Sequence, residues 1–127
     1  MRELVNSGGF TLIEVMVAAV ILTIGSLGIG ALTVSIINGN VFSNKMATAT
    51  VLAHNKLEDI KGLSFEDAAR AAIIEDYSAI PDFPSYRRET TVDANAPDPG
   101  MIRVTVTVSW WSGSSLRSVV LRTLVAQ

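Results

Sequence analysis

The feature that most constrains the fold is a long uncharged run near the start of the chain. It extends over the 23 residues from Val15 to Ile37 and is rich in valine, isoleucine, leucine and alanine. As an α-helix it would be about 35 Å long, enough to cross a hydrocarbon core of about 30 Å. A secretory signal peptide has a shorter apolar core of about 7–15 residues. The run therefore predicts a helix that spans a membrane.

The remaining composition limits what the rest of the chain can be. Of the 127 residues, about 90 follow the apolar run, which suffices for one small domain. The absence of cysteine excludes a disulfide scaffold, a thiol nucleophile and Cys-ligated metal sites. Ten basic against twelve acidic residues argue against a nucleic-acid-coating surface. His54 is the only histidine, and we expect it on a solvated helix surface, so we predict no enzyme, no metal and no cofactor.

Glu14 is the anomaly of the apolar segment, because it is the only charged residue between Glu3 and Lys45. A carboxylate deep in a bilayer costs about 2.5–3.5 kcal/mol on insertion scales, so it should have a partner or a purpose. If the chain were cut after Gly9, Phe10 would carry a positive α-amine one helical turn from Glu14. The alternative is that Glu14 merely reaches out to the membrane edge.

The residues around Glu14 carry a family resemblance. The string from Gly9 to Ala18, Gly-Phe-Thr-Leu-Ile-Glu-Val-Met-Val-Ala, resembles the class III signal of type IV prepilins and type II secretion pseudopilins. The resemblance implies that residues 1–9 are a leader peptide, cut between Gly9 and Phe10 by the membrane-embedded prepilin peptidase. N-methylation of Phe10, usually by the same enzyme, would follow. Glu14 corresponds to the glutamate that pairs with the amine of an adjacent subunit during filament assembly.

The same resemblance implies a location and partners. The N-terminus would be cytoplasmic and the head periplasmic, in a single-pass protein of the bacterial inner membrane that later enters a pilus or pseudopilus fibre. Charge counting alone slightly favours the opposite orientation, since Lys45, Lys56 and Lys61 outweigh Arg2. The implied partners are the prepilin peptidase/N-methyltransferase, other major and minor pilins or pseudopilins, the inner-membrane assembly platform and the lipid bilayer.

One departure from the family pattern lies inside the apolar helix. Many major pilins have a helix-bending proline about a dozen residues into the mature chain, whereas the first proline here is Pro81. Gly25, Gly28 and Gly30 fall in the helix instead, each at a cost of about 1 kcal/mol relative to alanine. They indicate either close helix packing in lipid or a helix that softens locally in the fibre.

Beyond the apolar run the pattern becomes one-sided. Apolar residues recur at spacings of three and four, which predicts that the helix continues amphipathically through residues 38–62: Phe42, Met46, Ala49, Ala53, Leu57 and Ile60. The domains are then a leader (1–9), a transmembrane and assembly helix (10–37), this amphipathic continuation (38–62) and a head (63–127). The string Leu-Ala-x-x-Lys-Leu-Glu from Leu52 to Glu58 resembles PilV-type minor pilins and small minor pseudopilins.

The head is predicted to hold one short helix and three strands. A capping-box pattern at Ser64 starts a helix toward Ile74, within a stretch of carboxylates that we interpret as a solvated acidic face. Alternating residues and turn signals predict strands at 86–92, 101–111 and 116–125. With the long helix they predict an α+β type IV pilin fold with a three-stranded antiparallel meander. Trp111 falls on the polar face, either as a subunit contact or as an exposed aromatic, and the last strand leaves an edge open to another pilin-like chain.

The sequence favours one function and leaves three others open. The first, which we predict, is a minor type IV pilin, PilV-like, that initiates, assembles or modifies the fibre. The second is a minor pseudopilin of type II secretion. The third is a competence pilin that binds DNA through the five C-terminal arginines, Arg87, Arg88, Arg103, Arg117 and Arg122, although the acidic middle and the few aromatics make nucleic acid a poor partner. The fourth is a single-pass anchor for a periplasmic binding domain, which predicts no cleavage after Gly9.

Overall fold

A computed structural model describes residues 8–127, so most of the predicted leader lies outside the described residues. The elements follow the chain as two helices and then four strands: α1 (Leu12–Lys61), α2 (Phe65–Ala69), β1 (Ile73–Glu75), β2 (Tyr86–Ala94), β3 (Met101–Ser112) and β4 (Ser115–Ala126). The chain divides into two units, one up to Asn40 and the other Val41–Gln127. The predicted α+β architecture, a long N-terminal helix with an antiparallel sheet, is confirmed.

The first unit is the apolar half of α1. The helix is long and apolar enough to cross a membrane, its apolar side chains are exposed all round, and it continues without interruption through Gly25, Gly28 and Gly30. Its hydroxyl groups donate to the carbonyl oxygen four residues earlier, as in the 2.8 Å bonds from Thr23 to Ala19 and from Ser26 to Leu22. These bonds remove the cost of placing a free hydroxyl group in hydrocarbon. Softening at the three glycines in a fibre stays a prediction.

The second unit is built on a four-stranded sheet with the order β1-β2-β3-β4, all antiparallel. Its central strand, β3, alternates as predicted: every second residue from Ile102 to Trp110 is buried. Val106 faces Thr90 of β2 and Leu121 of β4, so the apolar residues of neighbouring strands share one face. That face covers the core, and the sheet begins and ends on two edge strands, β1 and β4.

The head-side half of α1 packs its small and branched residues against this inner face. The buried helix residues are Ala49, Leu52, Ala53, Leu57 and Ile60. The predicted stripe is confirmed with two exceptions: Met46 is exposed, and Leu52, which the stripe omitted, is buried. Lys45, the residue before Met46, is half-buried beside the sheet; its carbonyl accepts a hydrogen bond from the Tyr86 hydroxyl group, and its ammonium group donates to the carbonyl of Trp111. The helix ends at Lys61, one residue before the end of the predicted amphipathic segment.

Two predictions for the head are wrong. The sheet has four strands rather than three, and the short helix ends before Ile74. The Ser64 capping box does start α2, since Ser64 Oγ accepts a hydrogen bond from the Asp67 amide, but α2 ends at Ala69. Ile73–Glu75 forms a fourth strand, with Ile74 opposite Glu89 of β2. Two consecutive β-branched isoleucines favour a strand over a helix. A three-residue edge strand is too short to leave a periodic signal in the sequence.

The expectation that the carboxylates around α2 form a solvated acidic face is wrong at Glu75. Arg88 of β2 donates from Nε and Nη2 to the two oxygens of Glu75, both at 2.6 Å, and from Nη1 to the Leu52 carbonyl of α1 at 3.2 Å. The Arg88 and Glu75 side chains are only 12% and 19% exposed. This forked pair joins β1, β2 and α1, so Glu75 is a structural carboxylate.

We expect Glu75→Gln to destabilise the head by about 1–3 kcal/mol near neutral pH, because the change weakens a charge-assisted pair and leaves Arg88 half-buried without a counter-charge. The hydrogen bond from Arg88 holds the pKa of Glu75 below its ordinary value of 4.5, against partial burial, which raises it. A lowered folded-state pKa stabilises the fold above the ordinary pKa, and this stability is lost as pH falls through the lowered value.

Urea unfolding of the full chain in detergent micelles at neutral and acidic pH measures this effect. The deficit of Glu75→Gln should shrink in acid. Glu66→Gln, which changes an exposed carboxylate of α2, is the matched control and should unfold like the wild type. A deficit that grows as pH falls would contradict the assigned role of the pair.

Candidate functional site

The start of α1 is a reciprocal capping box formed by Thr11 and Glu14. Thr11 directly precedes the helix, and Glu14 is its third residue. The Thr11 hydroxyl oxygen accepts a hydrogen bond from the Glu14 amide at 3.3 Å, while Glu14 Oε2 accepts from the Thr11 amide at 2.8 Å and from the Thr11 hydroxyl group at 2.9 Å. Two amide groups that a helix start leaves without partners are thereby satisfied. The arrangement fixes both the first turn and the position of the carboxylate.

The capping box uses only one oxygen of the Glu14 carboxylate. All the bonds from Thr11 end on Oε2, and within residues 8–127 no group donates to Oε1. Apolar side chains form shallow grooves beside Glu14, lined by Phe10, Val15 and Ala18 and by Ile13, Val17, Ala18 and Ile21. One exposed negative charge therefore stands on an otherwise apolar helix surface, with an acceptor oxygen free for a cationic group.

The Gly9–Phe10 junction lies immediately before this helix start. Gly9, Phe10 and Thr11 have no regular secondary structure, and all three are exposed. A Cβ added at Gly8 or Gly9 would meet no atom within 4 Å, so the chain on the leader side of the junction is open. An accessible, non-helical peptide bond is the geometry a peptidase needs. A cut there would leave the new amine on the residue before the helix cap.

Thr11 is the residue of this candidate site that the sequence did not single out. The resemblance singled out Glu14 for its charge and left Thr11 as part of the matched string. The spacing Thr-x-x-Glu before an apolar run is itself the sequence signature of a capping box. It would have placed the helix start at Leu12 and shown that Glu14 also has a partner within its own chain.

The structure does not bring the other candidate residues together. Arg87 pairs with Glu89 at 2.9 Å and Asp76 at 3.7 Å, and Arg88 is committed to Glu75. Two of the five arginines proposed for DNA binding are thus neutralised, which opposes a continuous basic surface. His54 is exposed on α1. Within the described residues, no cluster of three or more potential metal-ligating side chains occurs.

Comparison with known families agrees with this geometry. A family model, the prokaryotic N-terminal methylation motif, matches residues 4–30, which include the junction, the capping box and most of the apolar run. No curated protein and no solved structure matches the chain. The motif and the helix-and-sheet fold are those expected of a type IV pilin-like protein. The motif supports leader cleavage and N-terminal methylation, and the family that carries it is structural rather than enzymatic.

Proposed function

We propose that the chain is a minor type IV pilin of the PilV-like kind. It would be a structural, non-enzymatic subunit that takes part in initiating, assembling or modifying a pilus fibre after its leader is removed. The observation that carries this proposal is Glu14: the only charged residue between Glu3 and Lys45, four residues after Phe10, with a free carboxylate oxygen. Capping the helix requires no charge, since glutamine also fits the third position of a capping box, so a carboxylate in this apolar segment supports a cationic partner.

The first step is processing at the membrane. The prepilin peptidase cuts between Gly9 and Phe10, where Gly9 presents no side chain to obstruct the enzyme. The new amine of Phe10 is then methylated, a change that keeps its positive charge. The N-terminus is cytoplasmic, the head is periplasmic, and the subunit is held in the inner membrane until the assembly platform extracts it.

The second step is the docking of subunits. Glu14 of the incoming chain receives the amine of an adjacent pilin, and the Thr11 capping box holds the carboxylate in place for it. A charge pair surrounded by apolar helices is strong only when both partners are present, because either ion alone is costly to bury. The pair therefore fixes the register between neighbouring helices, while the apolar side chains supply the contact area.

The proposed organisation has four parts: a leader (1–9), a transmembrane and assembly helix (10–37), an amphipathic continuation (38–62) and a head (63–127). The division of the chain into units after Asn40, close to the proposed end of the membrane segment, supports the second boundary. The end of α1 at Lys61 supports the third.

A minor pseudopilin of type II secretion is the second candidate, since the methylation motif is shared by both kinds of subunit. Neighbouring genes separate the two: a retraction motor and a pilus secretin favour the pilus, and a general secretion operon favours the pseudopilus. The neutralised arginines weigh against a DNA-uptake pilin, and the processing motif weighs against a plain single-pass anchor for a binding module.

Co-expression with a prepilin peptidase tests the proposed processing. We expect the wild type to lose residues 1–9 and to start at methylated Phe10. Gly9→Val should remain full-length, because a branched side chain then stands beside the bond to be cut. Gly8→Val is the matched control: it adds the same bulk one residue earlier and should be processed. Intact-mass spectrometry of membrane-extracted protein distinguishes these products. Cleavage of Gly9→Val at the wild-type rate, or an uncut wild type, would contradict the assignment.

A further inference from the structure

The tip of the β3–β4 hairpin exposes an apolar pair. Trp111 and Leu116 are directly opposite each other on the two strands and are 53% and 55% exposed. The hairpin closes through Gly113 and Ser114, and Gly113 adopts a positive φ of 61°, as a tight two-residue turn requires. Because side chains alternate along a strand, Trp111 lies on the face opposite buried Trp110. The sheet thus ends in an outward-facing tryptophan and leucine.

Two cations lie at the same end of the hairpin, on the helix-facing side of the sheet. The Lys45 ammonium group donates to the Trp111 carbonyl at 3.2 Å, and the Arg117 guanidinium lies 5.9 Å from the centre of the Phe42 ring. Within residues 8–127 neither cation is in a salt bridge, and β3 and β4 contain no aspartate or glutamate. Arg117 is directly opposite Trp110, so it lies on the helix-facing side of the sheet, whereas Trp111 and Leu116 lie on the outer side. We name the end of the hairpin the hairpin-tip patch and define it by Lys45, Trp111, Leu116 and Arg117, with the apolar pair on one side of the sheet and the two cations on the other. It combines apolar area with uncompensated positive charge.

Few residues separate the apolar run from Phe42, which packs beside the hairpin tip. Phe42 contacts Trp110, with ring centres 6.5 Å apart, and it follows the last residue of the apolar run, Ile37, by five residues. Five residues span at most about 18 Å, even when fully extended. The sequence therefore leaves no long linker between the end of the apolar run and Phe42.

We propose that the hairpin-tip patch binds the surface of an anionic phospholipid bilayer while the subunit is held in the membrane. Tryptophan is enriched at the headgroup level because its ring is apolar and its N–H group is polar. Lysine and arginine at the same end of the hairpin attract anionic headgroups. The contact would restrain the head against the membrane and would be lost when the subunit is extracted. The inference rests on the membrane-anchored state of the proposed function, but not on cleavage or assembly.

A nitroxide label at a single introduced cysteine tests the proposal, since the chain has no cysteine of its own. Ser114→Cys places the label in the turn, and Asp98→Cys places it in the connection between β2 and β3, at the other end of β3; both positions are exposed. The uncut full chain is reconstituted in phosphatidylglycerol nanodiscs and, separately, in phosphatidylcholine nanodiscs. Electron paramagnetic resonance then measures collisions with oxygen, which concentrates in lipid, and with a water-soluble nickel complex.

We expect the oxygen-to-nickel collision ratio in phosphatidylglycerol to be at least about twofold higher at position 114 than at position 98. The difference should shrink in phosphatidylcholine and disappear when Trp111→Ser is added, a change at an exposed position that leaves the core intact. Equal ratios at the two positions would overturn the proposal. Loss of access for both reagents at position 114 would also overturn it, because another protein chain would then cover the patch.

Because the measurement uses the uncut chain, it does not depend on the processing test. A failure of cleavage at Gly9 leaves the expected collision ratios unchanged. An aqueous signal at position 114 leaves the proposed cleavage and docking of subunits unchanged. Each proposal can therefore be contradicted without contradicting the other.

Discussion

Glu14→Gln abolishes incorporation of the chain into fibres and leaves membrane insertion and leader cleavage intact. Glutamine is accepted at the third position of a capping box, so the helix start survives the change. The substitution removes the negative charge of residue 14, so the amine of the adjacent subunit would be buried without its counter-charge. Removing one member of a buried ion pair costs about 3–5 kcal/mol, which weakens subunit docking about 200- to 5,000-fold.

The comparison of sheared fibres with the membrane pool measures this loss, with immunoblots of both fractions. Glu14→Ala should fail in the same way, and Glu66→Gln, which removes an exposed carboxylate of the head, should be incorporated normally. Wild-type incorporation of Glu14→Gln would show that the residue acts only in starting the helix. Such a result would contradict the proposed pairing of Glu14 with the amine of an adjacent subunit.

The second large effect is expected in the core. Trp110→Ala should destabilise the head by about 3–5 kcal/mol, because a large side chain is removed from a closely packed site. Trp110 is 2% exposed and packs beside the rings of Tyr86 and Phe42, at 6.2 and 6.5 Å between centres. Within the described residues the indole N–H group of Trp110 has no hydrogen-bond partner. Trp110→Phe should therefore cost much less, since no hydrogen bond is lost.

Trp111→Ala is the matched control for this core substitution. It removes the same side chain one residue later, from the exposed face, and should change the stability by no more than about 0.5 kcal/mol. Urea unfolding of the full chains in micelles, followed by circular dichroism, gives both values. Equal losses for the two tryptophans would contradict the assignment of their faces.

Much of the head could be predicted because its main signals are periodic. The alternation along β3 assigned Trp110 to the core and Trp111 to the surface, and the apolar stripe through residues 38–62 placed the end of α1 to within one residue. The edge strand Ile73–Glu75 could not be found in this way, because three residues are too few to establish a period. Met46 was misplaced because spacing alone does not show which of two adjacent helix positions faces the sheet.

The candidate site was predictable to the extent that it is a local motif. Gly9, Phe10 and Glu14 all lie within a ten-residue string, and the match to residues 4–30 supports the class of processing they imply. The roles of these three residues stay predictions. The partners of Arg87 and Arg88 could not be foreseen, because Asp76, Glu75 and the Leu52 carbonyl meet them only through strand register and helix packing. Ion pairs between residues far apart in the chain leave no characteristic spacing in the sequence.

The mass of the chain in assembled fibres is the most direct test of the central claim, that Glu14 is neutralised by an amine which cleavage at Gly9 creates. Fibres are sheared from cells, and their subunits are analysed intact and as N-terminal peptides. The account predicts a chain that begins at Phe10 and carries one added methyl group on its amine. A functional fibre containing this chain with residues 1–9 still attached would contradict it, because the amine that Glu14 needs would not exist.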